Sequence, residues 1–350
     1  KLKFTLINMN PMFYLCIRDT LMTSLAKVSG KKEMLAIMEQ AKKDGKKHIS
    51  FSEFDLFNKC GHKHLVFKHL ALETEPPSIH LAFGDAIHAS IERTIEDSLG
   101  LQNRIDFFRE RFRKNMDDTM KGEPAYSEMD DFMGQGCNIL SMIDFESLLR
   151  DYEVIAVEEP LYQPIYGNFY FKGFIDLVLK HKTTGRYLIL DWKTSTVAWI
   201  LKYKLADVVF LMQMKFYKYF WARKHDVNLS KIDVKYMVLN RLADKKNPKK
   251  GYGELQEVSM TSAQSEVRDA LELVAKTIKS IHLDKKFPKA KFVLDEYGRI
   301  QNDKFGRPLM DDKPCMFCKL KGGKHPLCNS SIDQDQTLLA EHATVPKTGK

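Results

Sequence analysis

The sequence predicts an α/β chain, a sheet flanked by helices, and three stretches carry that prediction. Residues 171–193, FKGFIDLVLKHKTTGRYLILDWK, contain two runs of β-branched and aromatic residues separated by Thr183, Thr184 and Gly185, the composition of two strands joined by a turn. Residues 79–99 place Leu81, Ile87, Ile91 and Ile95 at helical intervals. Residues 231–240, KIDVKYMVLN, alternate as a further strand does and follow a long helical stretch at 205–224.

The other elements are read in order. Residues 1–48 form an extension of uncertain order, in which Asn8, Asn10 and Pro11 interrupt any signal-peptide core and Cys16 reads as a half-buried thiol. Within it, KKDGKKH at 42–48 is a basic linker, either a phosphate contact or a solvated loop. Ser50 or Ser52 then caps a helix whose apolar positions include Phe54, Phe57, Leu65 and Phe67. In the helix at 79–99, Gly84 permits close packing and His88 lies at the edge of the apolar stripe. Residues 101–150 read as an all-helical insert with Cys137 in its core. The sheet begins after residue 150, and Glu158 or Glu159 falls at the end of its first strand, with Glu158 preferred. Gln213 and Tyr217, four apart on the helix at 205–224, share one face. Residues 243–253 form a basic, turn-rich loop, 261–283 a capped helix, and 329–350 a polar, disordered tail.

At 350 residues with 44% hydrophobic content, the chain can bury a sizeable core in one large domain or two. A net charge of +9, from 55 basic and 46 acidic residues, suits a polyanionic partner or simple solubility. No run of about 18 apolar residues is present, which argues against a membrane helix. Six cysteines in a chain of this length do not suggest a disulfide scaffold. Their grouping suggests metal binding in a reducing compartment, hence the cytoplasm, or a host cytoplasm for a phage protein.

The candidate chemistry lies in residues 171–193. Side chains alternate along a strand, so Asp191 and Lys193 face one way and Trp192 the other, while a hairpin brings Asp176 toward the same edge. Two carboxylates so placed suit a hard cation such as Mg²⁺ or Mn²⁺, and a neighbouring lysine can orient a water and offset charge on a reacting phosphate. The competing reading is an exposed hairpin with scattered charges.

At these residues the chain resembles the PD-(D/E)XK nuclease superfamily, in its RecB-like branch. Gly173-Phe-Ile-Asp176, Asp191-Trp-Lys193, Gln213-Met-Lys-Phe-Tyr217 and the helical His88 occur in that branch's order over roughly residues 50–240. The resemblance implies a restriction-endonuclease-like core, a mixed sheet flanked by helices. It implies catalytic roles for Asp176, Asp191, Lys193, Gln213 and Tyr217, and a Mg²⁺ or Mn²⁺ site formed by His88, Asp176, Asp191 and the Trp192 carbonyl. Gln213 and Tyr217 would contact the DNA backbone or position the lysine.

Cys315, Cys318 and Cys328, with His325 between the last two, form a Cys-x-x-Cys cluster of metal-binding type. Two chemistries fit it. Cys60, Cys315, Cys318 and Cys328 together can hold a [4Fe–4S] cluster, an arrangement similar to the AddB nuclease domain and CRISPR-associated RecB-like exonucleases; the nine residues between Cys318 and Cys328 exceed that family's usual gap, and Gly61 replaces its usual proline. Alternatively Cys315, Cys318, His325 and Cys328 bind Zn²⁺. The combined reading is a nuclease domain over 49–328 with a cysteine-clasped end at 315–328. It hydrolyses DNA as an exonuclease on single strands or duplex ends, in repair, recombination or phage replication, with a helicase or recombination protein as a possible partner. The alternatives are a non-catalytic nucleic-acid-binding scaffold with a structural zinc site, and action on RNA.

Overall fold

The computed structural model describes residues 30–196, 199, 201, 208–241, 255–260, 264–288 and 318. Their order is α1 (Gly30–Lys43), β1 (Lys47–Ser50), α2 (Phe51–Lys59), α3 (Gly61–His64), α4 (Ile79–Asp97), α5 (Leu101–Thr119), α6 (Met129–Met142), α7 (Phe145–Leu149), β2 (Tyr152–Tyr166), β3 (Phe169–His181), β4 (Tyr187–Ser195), α8 (Val208–His225), β5 (Ile232–Asn240), β6 (Leu255–Met260) and α9 (Gln264–His282). Ser50 caps α2 by accepting a hydrogen bond from the Glu53 N–H, which settles the choice between the two serines. The stretch expected as a linker at 42–48 instead ends α1, turns at Gly45 with φ +66° and enters β1. Strand β1 forms because β3 offers it a parallel partner, a tertiary gain that local propensity does not report.

The sheet runs β1-β3-β4-β5-β6, with β2 on the other side of β3. It is mixed: β2–β3, β3–β4 and β5–β6 are antiparallel, whereas β1–β3 and β4–β5 are parallel. Alternation along the strands feeds two apolar cores. Phe171, Ile189, Val234 and Tyr236 pack with Phe54 of α2, Met214, Phe216 and Phe220 of α8 and Val274 of α9. On the opposite face Leu177, Leu188, Leu190, Trp192 and Met237 pack with Phe83 and Ile87 of α4, Phe108 and Phe112 of α5 and Ile139 of α6. The helical stretch at 101–150 thus covers one face of the sheet, giving three layers in all.

One feature of the topology positions the site. Strands β1 and β4 both use the same edge of β3 at different ends: Lys47–Ser50 pair with Phe169–Lys172, and Tyr187–Leu190 with Leu177–Lys180. Between them, residues 173–175 of β3 have backbone strand partners only in β2 among the described residues. Beyond Leu190 strand β4 leaves β3 and continues along β5. An opening therefore forms in the sheet beside Asp176 and Asp191.

Candidate active site

Asp176 and Asp191 flank that opening. Leu177↔Leu190 is the last β3–β4 pair, so the two aspartates stand where the strands part. The Trp192 N–H, freed from pairing with β3, donates to Asp176 Oδ2 at 2.7 Å. It is the N–H of Trp192 that meets Asp176, and its indole lies buried in the helical-layer core. Lys193 Nζ is 2.5 Å from Asp191 Oδ2 and lies over the Tyr236 ring at 5.7 Å. Period-two alternation along β4 thus puts acid and lysine together.

The two helical layers reach the opening from opposite sides. From α4, His88 Nδ1 approaches Asp176 Oδ2 at 3.5 Å. From α8, Gln213 Nε2 donates to Asp191 Oδ1 at 3.1 Å and to the Tyr217 hydroxyl at 3.0 Å. Gln213 and Tyr217 are only 8% and 6% exposed, so the pair is built to hold a carboxylate from beneath, and the carboxylate that Gln213 holds is Asp191. Gly173 explains how the tyrosine fits: a Cβ there would stand 3.0 Å from Phe171 Cε1 and 3.1 Å from Tyr217 Cε1. The glycine of Gly173-Phe-Ile-Asp176 makes room for an aromatic ring.

Beside Asp176 lies a small cavity that two glutamates, Glu92 and Glu158, also line. Its walls include His88, Ile91, Val157, Glu158, Asp176 and Trp192. The flanking pairs Val157↔Leu177 and Glu159↔Ile175 set Glu158 opposite Asp176 in register. Glu158 has φ +50°, a left-handed conformation rare for a residue with a Cβ. Its effect is visible in the cores. Val157 joins the helical-layer core while Ala156 and Leu161 pack on the other, and on β3 Leu177 and Ile175 are likewise on opposite faces. Alternation therefore slips on both strands at Glu158 and Asp176. Glu159 points the other way, where Trp221 Nε1 (2.7 Å), His225 Nε2 (2.6 Å) and Lys224 Nζ (2.8 Å) converge on it. Glu158 and Glu159, consecutive on the strand, face opposite sides, one to the cavity and one to α8. The sequence places these glutamates at the end of the first strand, but β2 runs on to Tyr166 and they lie within it; Glu158 is the one that lines the cavity beside Asp176.

The electrostatics follow from burial and proximity. Burial pushes Asp191 up to about 6, and Asp176 adds to the rise, against the pull of Lys193. Burial also works against ionised Asp176, but His88, Lys193 and the Trp192 N–H outweigh it and hold that carboxyl below its ordinary value. Burial disfavours the His88 imidazolium, yet Asp176 raises it above its ordinary value. The Tyr217 phenol is pushed well above its ordinary value by burial and by Asp191 and Asp176, so it stays protonated. The site contains one settled carboxylate, one reluctant carboxylate and cationic neighbours.

Among the described residues no three His, Cys, Asp or Glu side chains are disposed to hold a metal ion as they stand. The donor chemistry nevertheless suits a hard divalent cation, which often takes only one or two protein carboxylates, and a cation there would relieve the buried charge that makes Asp191 reluctant to ionise. The cysteines are only partly in view. Cys60 caps α3, accepting from the Lys63 N–H at 3.3 Å, and Cys318 packs against Val66 and Phe67. Cys315, His325, Cys328 and the expected tail at 329–350 lie outside the described residues. No helix among the described residues is long and apolar enough to cross a membrane.

A mixed sheet opened between β3 and β4, with Asp176, Asp191 and Lys193 at the gap, defines a class of phosphodiester-cleaving folds. The PD-(D/E)XK nuclease superfamily matches residues 48–321, and the chain belongs to that superfamily. Among solved structures, it is similar to a candidate exonuclease from Eubacterium rectale, with 16% identity over 68% of this chain and 81% of that one and a TM-score of 0.42. No curated protein matches it in sequence.

Proposed function

We propose that the protein is a divalent-metal-dependent deoxyribonuclease, acting as an exonuclease on single strands or DNA ends. The observation that carries the reading is the convergence of Asp176, Asp191 and Lys193 at the opening between β3 and β4. Asp176 and Asp191, with His88 and the Trp192 carbonyl, would hold Mg²⁺ or Mn²⁺. Such an ion supplies Lewis-acid activation of the phosphate and lowers the pKa of a bound water. Lys193 orients the attacking water and offsets charge on the reacting phosphate. Gln213 fixes one oxygen of Asp191, and the Tyr217 phenol fixes Gln213 in turn. Glu158 adds a carboxylate on the far side of Asp176.

The test is cleavage of end-labelled single- and double-stranded DNA with Mn²⁺ or with EDTA. The parent should degrade DNA only with the metal, and Asp176→Ala and Lys193→Ala should lose cleavage while keeping the parental circular dichroism. Either variant cutting at the parental rate sinks the assignment, and a parent that binds DNA without cutting it supports the scaffold reading.

The same proposal includes a structural [4Fe–4S] cluster on Cys60, Cys315, Cys318 and Cys328. Supporting it, Cys318 packs against Val66 and Phe67, a few residues after Cys60, although some 258 positions separate the two cysteines in sequence. A brown protein with about four irons agrees with this; colourless protein with stoichiometric zinc replaces the cluster with the zinc site.

A further inference from the structure

Upstream of Asp176, strand β3 carries side chains that neither apolar core absorbs. Tyr170, Lys172 and Phe174 alternate with Phe169, Phe171 and Ile175, which face the α8 core. Register places His48 of β1 beside Tyr170, Tyr162 of β2 beside Lys172 and Pro160 beside Phe174, and directly paired residues share a face. One surface strip on the sheet therefore holds His48, Tyr162, Tyr170, Lys172 and Phe174, all partly exposed and all absent from both cores. The strip is aromatic and basic. Tyr162 and Tyr170 stack with centroids 5.0 Å apart and planes 15° from parallel, His48 meets Tyr162 edge-on at 6.1 Å, and Lys46 Nζ lies 5.3 Å over the Tyr170 ring. The Tyr162 hydroxyl is buried and has no hydrogen-bond partner among the described residues. The helical layer packs over Leu177 and Leu179, beyond Asp176, and α1 borders the strip along β2.

We infer that this strip is a binding track for single-stranded DNA that leads to the cleavage site. The inference rests on the nuclease reading above and adds to it a substrate class and a second contact region. Stacked aromatic rings beside lysines are the elements that bind single strands without sequence preference, because every base presents a π-face and every linkage a negative charge. The direction follows from the strand itself: Tyr170, Lys172 and Phe174 are successive same-side positions on β3, and Asp176 follows two residues on, where β3 and β4 part. Tyr170 to Asp176 spans about 20 Å of strand, room for about six stacked nucleotides. A rigid duplex presents its bases only as edges within grooves, so stacking on this strip requires an unpaired strand.

The experiment measures affinity against oligonucleotide length in an Asp191→Asn background, which prevents cleavage. With the tyrosine and lysine present, dissociation constants for single-stranded DNA, read by fluorescence anisotropy, should improve steeply between four and twelve nucleotides. Tyr170→Ala and Lys172→Glu should each weaken the twelve-nucleotide complex by about fivefold or more and flatten the length dependence. Both substitutions are at partly exposed positions, and a retained melting temperature checks that the fold survives. Parental affinity for the long strand in both variants would overturn the track, as would an equal loss on a blunt duplex of the same length. These readings are distinguishable from failure of the nuclease assignment, which is tested separately by the parent's Mn²⁺-dependent cleavage; a parent with neither cleavage nor length-dependent binding defeats both.

Discussion

Replacing Asp191 with asparagine separates what the site does for catalysis from what it does to stability. The carboxylate is 2% exposed, and burial together with Asp176 pushes it up to about 6 despite Lys193 at 2.5 Å. A carboxyl whose folded value lies above its unfolded one binds more protons in the native state. Native stability therefore falls as pH rises from the ordinary carboxylate range to about 6, and the loss is complete above that. The interval from 3.8 to about 6, at about 1.36 kcal/mol per pH unit, corresponds to ~3 kcal/mol of destabilisation at neutral pH. Asparagine does not ionise and keeps an oxygen for Gln213. Lys193 loses its charged partner, but the value of about 6 already includes the Lys193 attraction, so nothing further is subtracted. Asp191→Asn should then be more stable than the parent by ~3 kcal/mol at pH 7.5 while losing cleavage, and the gain should shrink as pH falls toward 4. Urea unfolding in EDTA at both pH values measures this. Added Mn²⁺ should stabilise the parent and leave the variant nearly unchanged, since a ligand that binds the native state raises its stability. A variant less stable than the parent at pH 7.5, or a gain equal at both pH values, would refute the reasoning.

Two further substitutions test how the site is supported. Gly173→Ala puts a Cβ 3.0 Å from Phe171 Cε1 and 3.1 Å from Tyr217 Cε1; it should destabilise by ~1–3 kcal/mol and lower kcat, and an unchanged melting temperature and rate would contradict the packing account. Glu159→Ala removes the acceptor shared by Trp221, His225 and Lys224 and leaves a buried indole N–H without that partner. Its expected destabilisation, ~3–5 kcal/mol by urea titration, should come with a change in tryptophan fluorescence, and a loss under 1 kcal/mol would show that α8 does not need this anchor.

Much of the site could be read from local pattern, because strand alternation alone brings Asp191 and Lys193 together and helix spacing alone puts Gln213 and Tyr217 on one face. The helical layer at 101–150 followed in the same way from periodicity, whereas the mixed sheet was implied by the family resemblance. What was not legible depends on partners distant in sequence. Strand β1 takes its identity from the free edge of β3, so KKDGKKH read locally as a linker. The left-handed backbone at Glu158 occurs at a residue type that seldom adopts it, and only the packing of the flanking residues reveals that alternation slips there. The purpose of Gly173 depends on a tyrosine from another helix. Gln213 was expected to face the site and contact DNA or position the lysine; its hydrogen bond to Asp191, the partner of Lys193, is a contact that helix spacing alone does not specify.

The proposed function requires a divalent ion between Asp176 and Asp191, and its binding can be measured without turnover. Mn²⁺ titrated into the metal-free protein and followed by electron paramagnetic resonance should show at least one saturable site that competes with Mg²⁺. That site should be lost in Asp176→Asn and retained in Lys172→Glu. A parent that binds no Mn²⁺, or an Asp176→Asn protein that binds it with parental affinity, would contradict the account at its centre.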